Sequence, residues 1–363
     1  MQGQPSTGGQ AVQGPSGKTG LWTILGAIAL AIAVVAVALN FVVPGPTGAK
    51  GAQGGTGSTG SPGSTGPTGP QGPPAGEFWA DVNVSGALVH GSHSNGSYLI
   101  ETGDYQVNFT QDVSQCGFVA SVVIQNSLYV PPAGGVTVAG RNGNPDAVFV
   151  TTNAPNGVAT DEAFDLVALC SADLWAVVNS GGSVVRGVDV VSAAHNGTGD
   201  YSVVFDQDVE NCGFLGTLGA VGSVGSVSPG YVSVQGELGV PNGVYVATYN
   251  ATGVHTDESF HLTAVCTSPD WAVVSTAGTY VRGSVGNPGV SSSGPGSYTV
   301  TFSEDVVNCA YVATAGGTGS SGIYGAASVT MAGENGNQNG VYIATHDATG
   351  ASTAESFHLG VFC

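Results

Sequence analysis

Tyr105-Gln106-Val107-Asn108-Phe109 is the stretch of sequence that decides the fold. Its tyrosine, valine and phenylalanine alternate with polar residues, and this period of two places three large apolar side chains on one face of a β-strand. Matching stretches occur at 201–205 and 298–302. The sequence therefore predicts one β-strand that occurs three times in the chain.

The repetition extends well beyond this strand, with a period of 96 or 97 residues. Trp79, Trp175 and Trp271 are spaced by 96 residues. The closing stretches of the copies also match: Phe164-Asp165-Leu166, Phe260-His261-Leu262 and Phe357-His358-Leu359. A fixed period of this length indicates tandem copies of one structural unit. We therefore predict three repeats, at 77–172, 173–268 and 269–363.

Each repeat has the pattern of about seven short strands separated by turns. The turn signals include Asn250-Ala251-Thr252-Gly253 and Asp347-Ala348-Thr349-Gly350, in which the glycine can adopt a left-handed conformation. No helical period follows Glu77. This pattern is typical of a small antiparallel sandwich. The predicted fold class is all-β, with three tandem antiparallel β-sandwich repeats preceded by a single transmembrane helix and a collagen-like stalk.

Every repeat contains two cysteines separated by 54 positions. Six cysteines allow 15 pairings, and the repetition favours the pairing within each copy: Cys116–Cys170, Cys212–Cys266 and Cys309–Cys363. Such a bond contributes about 4 kcal/mol in the chain-entropy treatment of a loop of ~55 residues. Zinc is the alternative, which the lack of a C-x-x-C motif and the change from histidine to Asp165 in the first repeat disfavour. Disulfide bonds indicate an oxidising, extracytoplasmic compartment.

Charge is distributed unevenly along the chain. All 24 acidic residues lie from Glu77 onward, where Arg141, Arg186 and Arg282 are the strong cations, which gives this part a formal charge of −21. Such a surface repels phosphate backbones and anionic headgroups, so nucleic acid is not an expected partner. A solvated surface that resists aggregation is the favoured interpretation, and a surface that binds divalent cations is the alternative.

Two sets of acids persist in all three copies: Asp112, Asp208 and Asp305 before the first cysteine, and Glu162, Glu258 and Glu355 before the closing strand. Their functional interpretation is a calcium site or an acid–base pair. A role in turns and strand ends is favoured, because a feature present in every copy more often belongs to the fold. Asp206-Gln207-Asp208 resembles part of a calcium loop in one copy only. We predict no metal and no cofactor.

No catalytic motif is recognised in the sequence. It contains neither a G-x-S-x-G elbow nor an H-E-x-x-H pair. The histidines also change place between copies, since His90 occupies the position held by Arg186 and Arg282. A catalytic group exchanged between repeats is not expected, and we therefore predict that the protein is not an enzyme.

Ten glycines occupy every third position from 45 to 72, and prolines are interspersed: Gly45, Gly48, Gly51, Gly54, Gly57, Gly60, Gly63, Gly66, Gly69 and Gly72. A triple helix requires glycine at every third position because nothing larger fits at its axis. Through the repeated Gly-X-Y of residues 45–74 the predicted stalk at 44–76 resembles the collagen-like proteins found on bacterial surfaces. The resemblance implies that three chains wind into a homotrimer, with an extended, unassembled stalk as the alternative.

Residues 21–43 form an apolar run of 23 residues after a polar tail at 1–20. As a helix the run would span about 34 Å at ~1.5 Å per residue, enough for the hydrocarbon core of a bilayer. We predict an uncleaved single-pass anchor in the cell membrane with the C-terminal part outside the cytoplasm. A signal peptide cleaved after Ala36-Val37-Ala38 is the alternative, and the protein would then be secreted.

These features together predict a surface protein with a structural or adhesive role, which presents repeated β-domains on a stalk to a surface ligand still to be identified. The alternative is a lectin-like module that binds carbohydrate. In that case Tyr231, Tyr245 and Tyr324 are expected to line a shared open groove.

Overall fold

The computed structural model describes residues 48–55, 78–125, 132–170, 174–224, 227–267, 270–320 and 325–363. The chain divides into two units, Met1–Gly69 and Pro70–Cys363. The predicted tail at 1–20, the anchor at 21–43 and the stalk apart from 48–55 lie outside the described residues. Residues 48–55 are exposed and have no regular secondary structure. Within the described ranges, no helix is long and apolar enough to cross a membrane.

The second unit consists of three successive sets of eight strands. The first set is β1 Phe78–Val82, β2 Leu88–Ser92, β3 Ser94–Glu101, β4 Asp104–Phe109, β5 Gly117–Ile124, β6 Gly135–Arg141, β7 Asn144–Asn153 and β8 Phe164–Leu169. The second is β9 Leu174–Val178, β10 Val184–Val188, β11 Val190–Gly197, β12 Asp200–Phe205, β13 Gly213–Gly219, β14 Gly230–Glu237, β15 Val240–Asn250 and β16 Phe260–Val265. The third is β17 Asp270–Val274, β18 Tyr280–Gly283, β19 Gly289–Gly294, β20 Ser297–Thr301, β21 Ala310–Ala315, β22 Ala327–Gly333, β23 Gly340–Asp347 and β24 Phe357–Phe362.

The prediction of an all-β fold is confirmed, and helices are absent from the described part of the chain. The repeat boundaries predicted at 172/173 and 268/269 fall between strands, in short segments outside the described residues.

Every set of eight strands folds into two antiparallel four-stranded layers around one core. In the first repeat the inner sheet has the order β5-β8-β1-β2 and the outer sheet the order β6-β7-β4-β3. Phe78, Phe118 and Phe164 from the inner sheet meet Tyr105 and Phe109 from the outer sheet in this core. The second and third repeats have equivalent cores.

A non-glycine residue with positive φ lies between the second and third strands of each repeat; it is the whole connection in repeats 1 and 2 and part of the segment 284–288 in repeat 3. These residues are His93 (φ 52°), Asp189 (φ 54°) and Asn287 (φ 52°). Asp, Asn and His are the side chains that adopt this left-handed conformation most readily after glycine. The abrupt turn moves the chain from the inner to the outer sheet of the same repeat.

The three repeats are joined edge to edge through parallel contacts between an inner sheet and a neighbouring outer sheet. Strand β13 pairs with β6 through Leu218 and Thr137, and β22 pairs with β5 through Met331 and Val123. A parallel bridge between Val234 and Gly316 makes the third connection. Repeats 1 and 2, 2 and 3, and 3 and 1 are therefore all in contact, and the ring is closed within one chain.

A fourth core lies between the inner sheets and belongs to all three repeats. Trp79, Trp175 and Trp271 are buried in it together with residues such as Leu215 and Phe362. Trp175 and Trp271 lie close to the backbone of the preceding repeat: a Cβ atom at Gly117 would be 2.8 Å from Cε3 of Trp175, and one at Gly213 would be 2.9 Å from Cε3 of Trp271. The inner strands β5, β8 and β1 are thus buried on both faces, in contrast to a sandwich that stands alone, while the edge strand β2 stays partly exposed.

The disulfide bonds form within each repeat as predicted: Cys116–Cys170, Cys212–Cys266 and Cys309–Cys363, with S–S distances of 2.06, 2.03 and 2.14 Å. All six cysteines are paired. The first cysteine of each bond directly precedes the edge strand of the inner sheet (β5, β13 or β21), and the second directly follows the last strand of the repeat (β8, β16 or β24). The bond therefore fastens the strand that faces the neighbouring repeat.

Candidate functional site at the junctions between repeats

Strands β5, β13 and β21 are the edges at which neighbouring repeats meet. One side of each strand is paired within its own repeat, and the other side presents backbone amides that need a partner. His261 Nδ1 accepts a hydrogen bond from the Phe118 amide at 2.8 Å, and His358 Nδ1 accepts one from Phe214 at 2.8 Å. At the third junction Asp165 Oδ2 accepts from the Tyr311 amide at 2.6 Å. Each acceptor belongs to the neighbouring repeat.

Hydroxyl groups satisfy the next position along the same three edges. Thr217 Oγ1 accepts from the Ala120 amide at 2.9 Å and donates to the Ala120 carbonyl at 3.1 Å. Thr314 does the same with Gly216, and Ser121 with Ala313. One side chain thus replaces two hydrogen bonds that a neighbouring strand would have supplied.

The two junction histidines are neutral. Because Nδ1 accepts an amide hydrogen, the ring proton is assigned to Nε2, which lies 3.1 Å from the Ala220 carbonyl in His261 and 2.9 Å from the Gly317 carbonyl in His358. Burial lowers the pKa of each imidazole to about 3, the neighbouring arginine acts in the same direction, and the bond to the carbonyl opposes them. A charged imidazole would also lose the hydrogen bond from the amide.

The junction between repeats 3 and 1 has different chemistry. Asp165 lies directly across the strand pair from Asp81, and Asp81 in turn is 3.1 Å from His90 Nδ1 and accepts from Gln125 Nε2 at 2.7 Å. Burial, followed by the Asp81 carboxylate, raises the pKa of Asp165 well above its ordinary value. The chain therefore holds two carboxylates close together where the other junctions hold one neutral imidazole.

Arginines lie at the outer ends of the other two junctions. Arg186 Nε donates to the Cys116 carbonyl at 3.0 Å, and its Nη1 donates to the Val221 carbonyl. Arg282 makes the equivalent bonds to Cys212 at 3.0 Å and to Thr318 at 2.5 Å. Burial lowers the pKa of both guanidinium groups. His90 occupies the corresponding position at the third junction, as the sequence indicated.

Two equivalent clefts open beside these arginines. The cleft between repeats 1 and 2 has a volume of about 560 Å³ and is lined by Ser114, Gln115, Arg141, Asn144, Arg186 and Ser223, among others. The cleft between repeats 2 and 3 has a volume of about 320 Å³ and is lined by residues that include Glu210, Asn211, Glu237 and Arg282. Both are open to solvent and large enough for a sugar-sized ligand.

A smaller cavity of about 50 Å³ lies where all three repeats meet. Each repeat contributes the same six positions to its lining, and the junction residues Ser121, Thr217 and Thr314 are among them. The hydroxyl of Ser328 also lines it and has no hydrogen-bond partner within the described residues. The volume has room for a few water molecules.

The persistent acids take part in the local fold. Asp112, Asp208 and Asp305 each accept a hydrogen bond from the backbone amide two residues later, at 2.8, 2.9 and 3.0 Å. This is the Asx turn expected of a short acidic side chain before a cysteine-bearing turn. Burial raises the pKa of Glu162, Glu258 and Glu355. In the described part of the chain, no group of three or more His, Cys, Asp or Glu side chains could hold a metal ion.

The tyrosines considered for sugar binding do not form a common groove in the described residues. Tyr231 lies in β14 and is 5% exposed, and its hydroxyl proton is shared between the Pro155 and Ala348 carbonyls, at 3.1 and 3.2 Å. Tyr245 lies in β15 and donates to Asp200 Oδ1 at 2.6 Å. Tyr324 lies outside the described residues. Tyr231 therefore has a role between repeats and is not accessible to a ligand.

Comparisons with known proteins provide no further guide. No family model matches the chain, and neither a curated protein nor a solved structure matches it.

Sequence reasoning did not identify the junctions, although a signal was present. The closing strands carry apolar residues on both faces: Val167 and Leu169 alternate with Leu166 and Ala168 in β8. A strand with two apolar faces needs a cover on each. A second signal is the pair of positions at which repeat 1 differs from the other two. It has Asp165 where they have histidine, and His90 where they have arginine. Both positions lie where one repeat contacts another.

Proposed function

We propose that the chain is a membrane-anchored, collagen-like cell-surface protein with a structural or adhesive role. In this proposal the stalk at 44–76 carries the three repeats as one head outside the cytoplasm. The observation that carries the proposal is the closure of the repeats into a ring stapled by three disulfide bonds. A head of this kind keeps its shape without a partner, which suits display in an exposed and oxidising environment.

The ring also bears on how chains would assemble. The inner edge strands are covered by side chains of the same chain, so these edges are not available to join one chain to another. A homotrimer would consequently depend on the Gly-X-Y stalk. Three chains would then bring nine repeats together, an arrangement that strengthens weak contacts through multivalency.

Circular dichroism and sedimentation of residues 44–363 test the stalk. The proposal predicts a trimer with a polyproline-type signal that disappears in one melting step. The matched control replaces Gly57, Gly60 and Gly63 with alanine, because alanine does not fit the axis of a triple helix. A monomer in both forms, with no difference between their spectra, would contradict a triple-helical stalk.

Protease treatment of intact bacterial cells that express the full chain tests the location. An epitope placed after Cys363 should be removed from outside while cytoplasmic proteins remain whole, and thiol-specific reagents should find no free cysteine before reduction. Adhesion of the same cells to coated surfaces is measured in parallel. The control is cells that express residues 1–76 alone with the same epitope, which lack the three repeats. An epitope that stays protected, with reduced cysteines, would contradict the proposal.

The second candidate function is a lectin-like module. The observation that favours it is the open cleft between repeats 1 and 2, whose lining includes amide, hydroxyl and guanidinium groups. Such groups are the usual means of orienting a polar ligand in a cleft. A glycan array probed with the full chain tests it, and the chemistry of the cleft narrows the expected ligands further.

A further inference from the structure

Positive charge is concentrated in the cleft between repeats 1 and 2. Of the three arginines in residues 77–363, two line this cleft, Arg141 and Arg186. No aspartate or glutamate is among its described lining residues. In a part of the chain with a formal charge of −21, this is a local reversal of charge, and it favours an anionic ligand.

Both guanidinium groups are oriented and retain unused donors. Arg141 Nε donates to Gln106 Oε1 at 2.8 Å, and its Cζ lies 5.4 Å from the centre of the Phe149 ring. Arg186 uses Nε and Nη1 for the carbonyls of Cys116 and Val221. Neither arginine forms an ion pair with a carboxylate of the described residues. Each guanidinium therefore has N–H groups left for a ligand oxygen, and the fork geometry suits a carboxylate.

The rest of the lining is polar and uncharged. The side chains of Ser114, Gln115 and Ser223 make no hydrogen bond within the described ranges, and Asn144 uses its amide nitrogen for Asn108 at 3.2 Å. Hydroxyl and amide groups of this kind can bind the hydroxyl groups of a sugar ring. The cleft thus combines a cationic end with neutral polar walls.

The equivalent cleft between repeats 2 and 3 has the opposite charge. Glu210 and Glu237 occupy the positions of Ser114 and Arg141, while Arg282 corresponds to Arg186. Glu237 accepts from the Ser202 hydroxyl, and the Glu210 carboxylate raises the pKa of Arg282 against the lowering caused by burial. At the third junction, Glu334 occupies the position that corresponds to Arg141 and Glu237. The cleft between repeats 1 and 2 therefore differs from its counterparts in charge at the same backbone positions.

We propose that the cleft between repeats 1 and 2 binds an acidic sugar, with Arg141 and Arg186 on its carboxylate and the neutral polar side chains on its hydroxyl groups. The inference rests on the proposed surface function and specifies the ligand class for its lectin-like form. Binding at one of the three junctions also means one site per chain.

The test uses the full chain in phosphatidylcholine nanodiscs and measures binding of glucuronate, glucose and acetate by calorimetry. We expect one site for glucuronate, binding of acetate at least tenfold weaker, and no detectable binding of glucose. Arg141→Glu should weaken glucuronate binding at least tenfold. This substitution introduces the residue that repeat 2 already has at the same position, so the fold is expected to accept it.

The reciprocal variant Glu210→Ser with Glu237→Arg gives the second cleft the two residues that distinguish the charge of the first, while Val240 remains at the position of Asn144. It should increase the number of glucuronate sites from one to two. If Arg141→Glu does not fold, as judged by its thermal transition, Arg141→Gln replaces it with the same expected loss.

Equal affinity for glucuronate and acetate would overturn the sugar assignment, and unchanged glucuronate binding by the Arg141 variant would overturn the site. No binding of glucuronate by the wild-type chain would overturn the proposal as a whole. The proposed surface function fails separately, in the protease experiment, because exposure of the head does not depend on what this cleft binds.

Discussion

The imidazole Nδ1 of His261 lies 2.8 Å from the backbone nitrogen of Phe118, a residue 143 positions earlier in the chain. The contact joins the closing strand of repeat 2 to the edge strand of repeat 1, and the ring nitrogen accepts the amide hydrogen. His358 repeats the contact with Phe214 at the next junction. An edge strand that would otherwise offer open hydrogen-bond donors is covered by a side chain of its neighbour.

Replacing His261 with leucine should lower the free energy of unfolding by about 1–3 kcal/mol, because the Phe118 amide would be left buried without an acceptor. Urea unfolding followed by tryptophan fluorescence measures the change. His255→Leu is the control, since His255 is partly exposed and contacts Asp200 in a surface ion pair at 3.2 Å and the Tyr249 ring at a centroid distance of 4.4 Å, where leucine keeps an apolar side chain. It should cost less than about 1 kcal/mol. Equal effects of the two substitutions would contradict the role given to His261.

The contribution of His261 and His358 to stability should fall as the pH decreases from about 6.5 towards about 3, whereas the carboxyl groups with raised pKa, Asp165 among them, act in the opposite direction. The folded-state pKa of His261 and His358 is about 3, whereas the unfolded chain has the ordinary value of about 6.5. Within this window the unfolded state binds more protons, so protonation favours unfolding. Urea midpoints measured at several pH values test the prediction. The double variant His261→Gln and His358→Gln should show a smaller pH dependence, and an unchanged dependence would contradict it.

Asp165→Asn should stabilise the protein at pH 7. The buried carboxylate lies beside Asp81 and has a raised pKa, so its contribution to stability decreases as the pH rises above the unfolded value near 3.9. Asparagine keeps an oxygen for the Tyr311 amide and removes the charge. The free energy of unfolding should increase by about 1 kcal/mol or more at pH 7. The increase should be smaller at pH 4, because the Asp165 carboxyl group of the wild type is then protonated and uncharged. Asp165→Ala is the control and should destabilise the protein, since the Tyr311 amide then lacks an acceptor. A loss of stability in Asp165→Asn at pH 7 would contradict the destabilising role given to the buried Asp165 charge.

Removing one disulfide bond by Cys212→Ser with Cys266→Ser should lower the free energy of unfolding by about 4 kcal/mol, because the loop of ~55 residues is no longer closed in the unfolded chain. Guanidinium unfolding of oxidised protein measures the loss. Since the repeats share a central core, the midpoint of the whole head should move. A variant that loses only repeat 2 while the others keep their midpoint would contradict a shared core.

The strands themselves could be predicted from the sequence because their signals are local. The alternation of Tyr105, Val107 and Phe109 is confirmed as strand β4, and all three side chains are buried. The disulfide pairing followed from the constant spacing of the cysteines within a repeated unit. Both inferences compare residues that lie close together or recur at a fixed period.

The closure of the ring could not be predicted in this way. The parallel contact of β22 with β5 involves two residues on each strand, and the partners lie more than 200 positions apart. Nothing in either strand specifies that partner, because parallel pairing leaves the period of two unchanged. The sequence shows that Arg141 and Arg186 are two of the three arginines in residues 77–363. It does not show that they line one cleft, because that depends on how repeats 1 and 2 meet.

Amide hydrogen exchange at Phe118, Phe214 and Tyr311 tests the closed ring most directly, because these three amides are bonded to side chains of neighbouring repeats. Exchange of the full chain, read at single residues by electron-transfer fragmentation, should be as slow at these positions as at Leu166 in the centre of an inner sheet. If they exchange as fast as the exposed turn at 142–143 while Leu166 stays protected, the repeats are separate domains and the closed head is wrong.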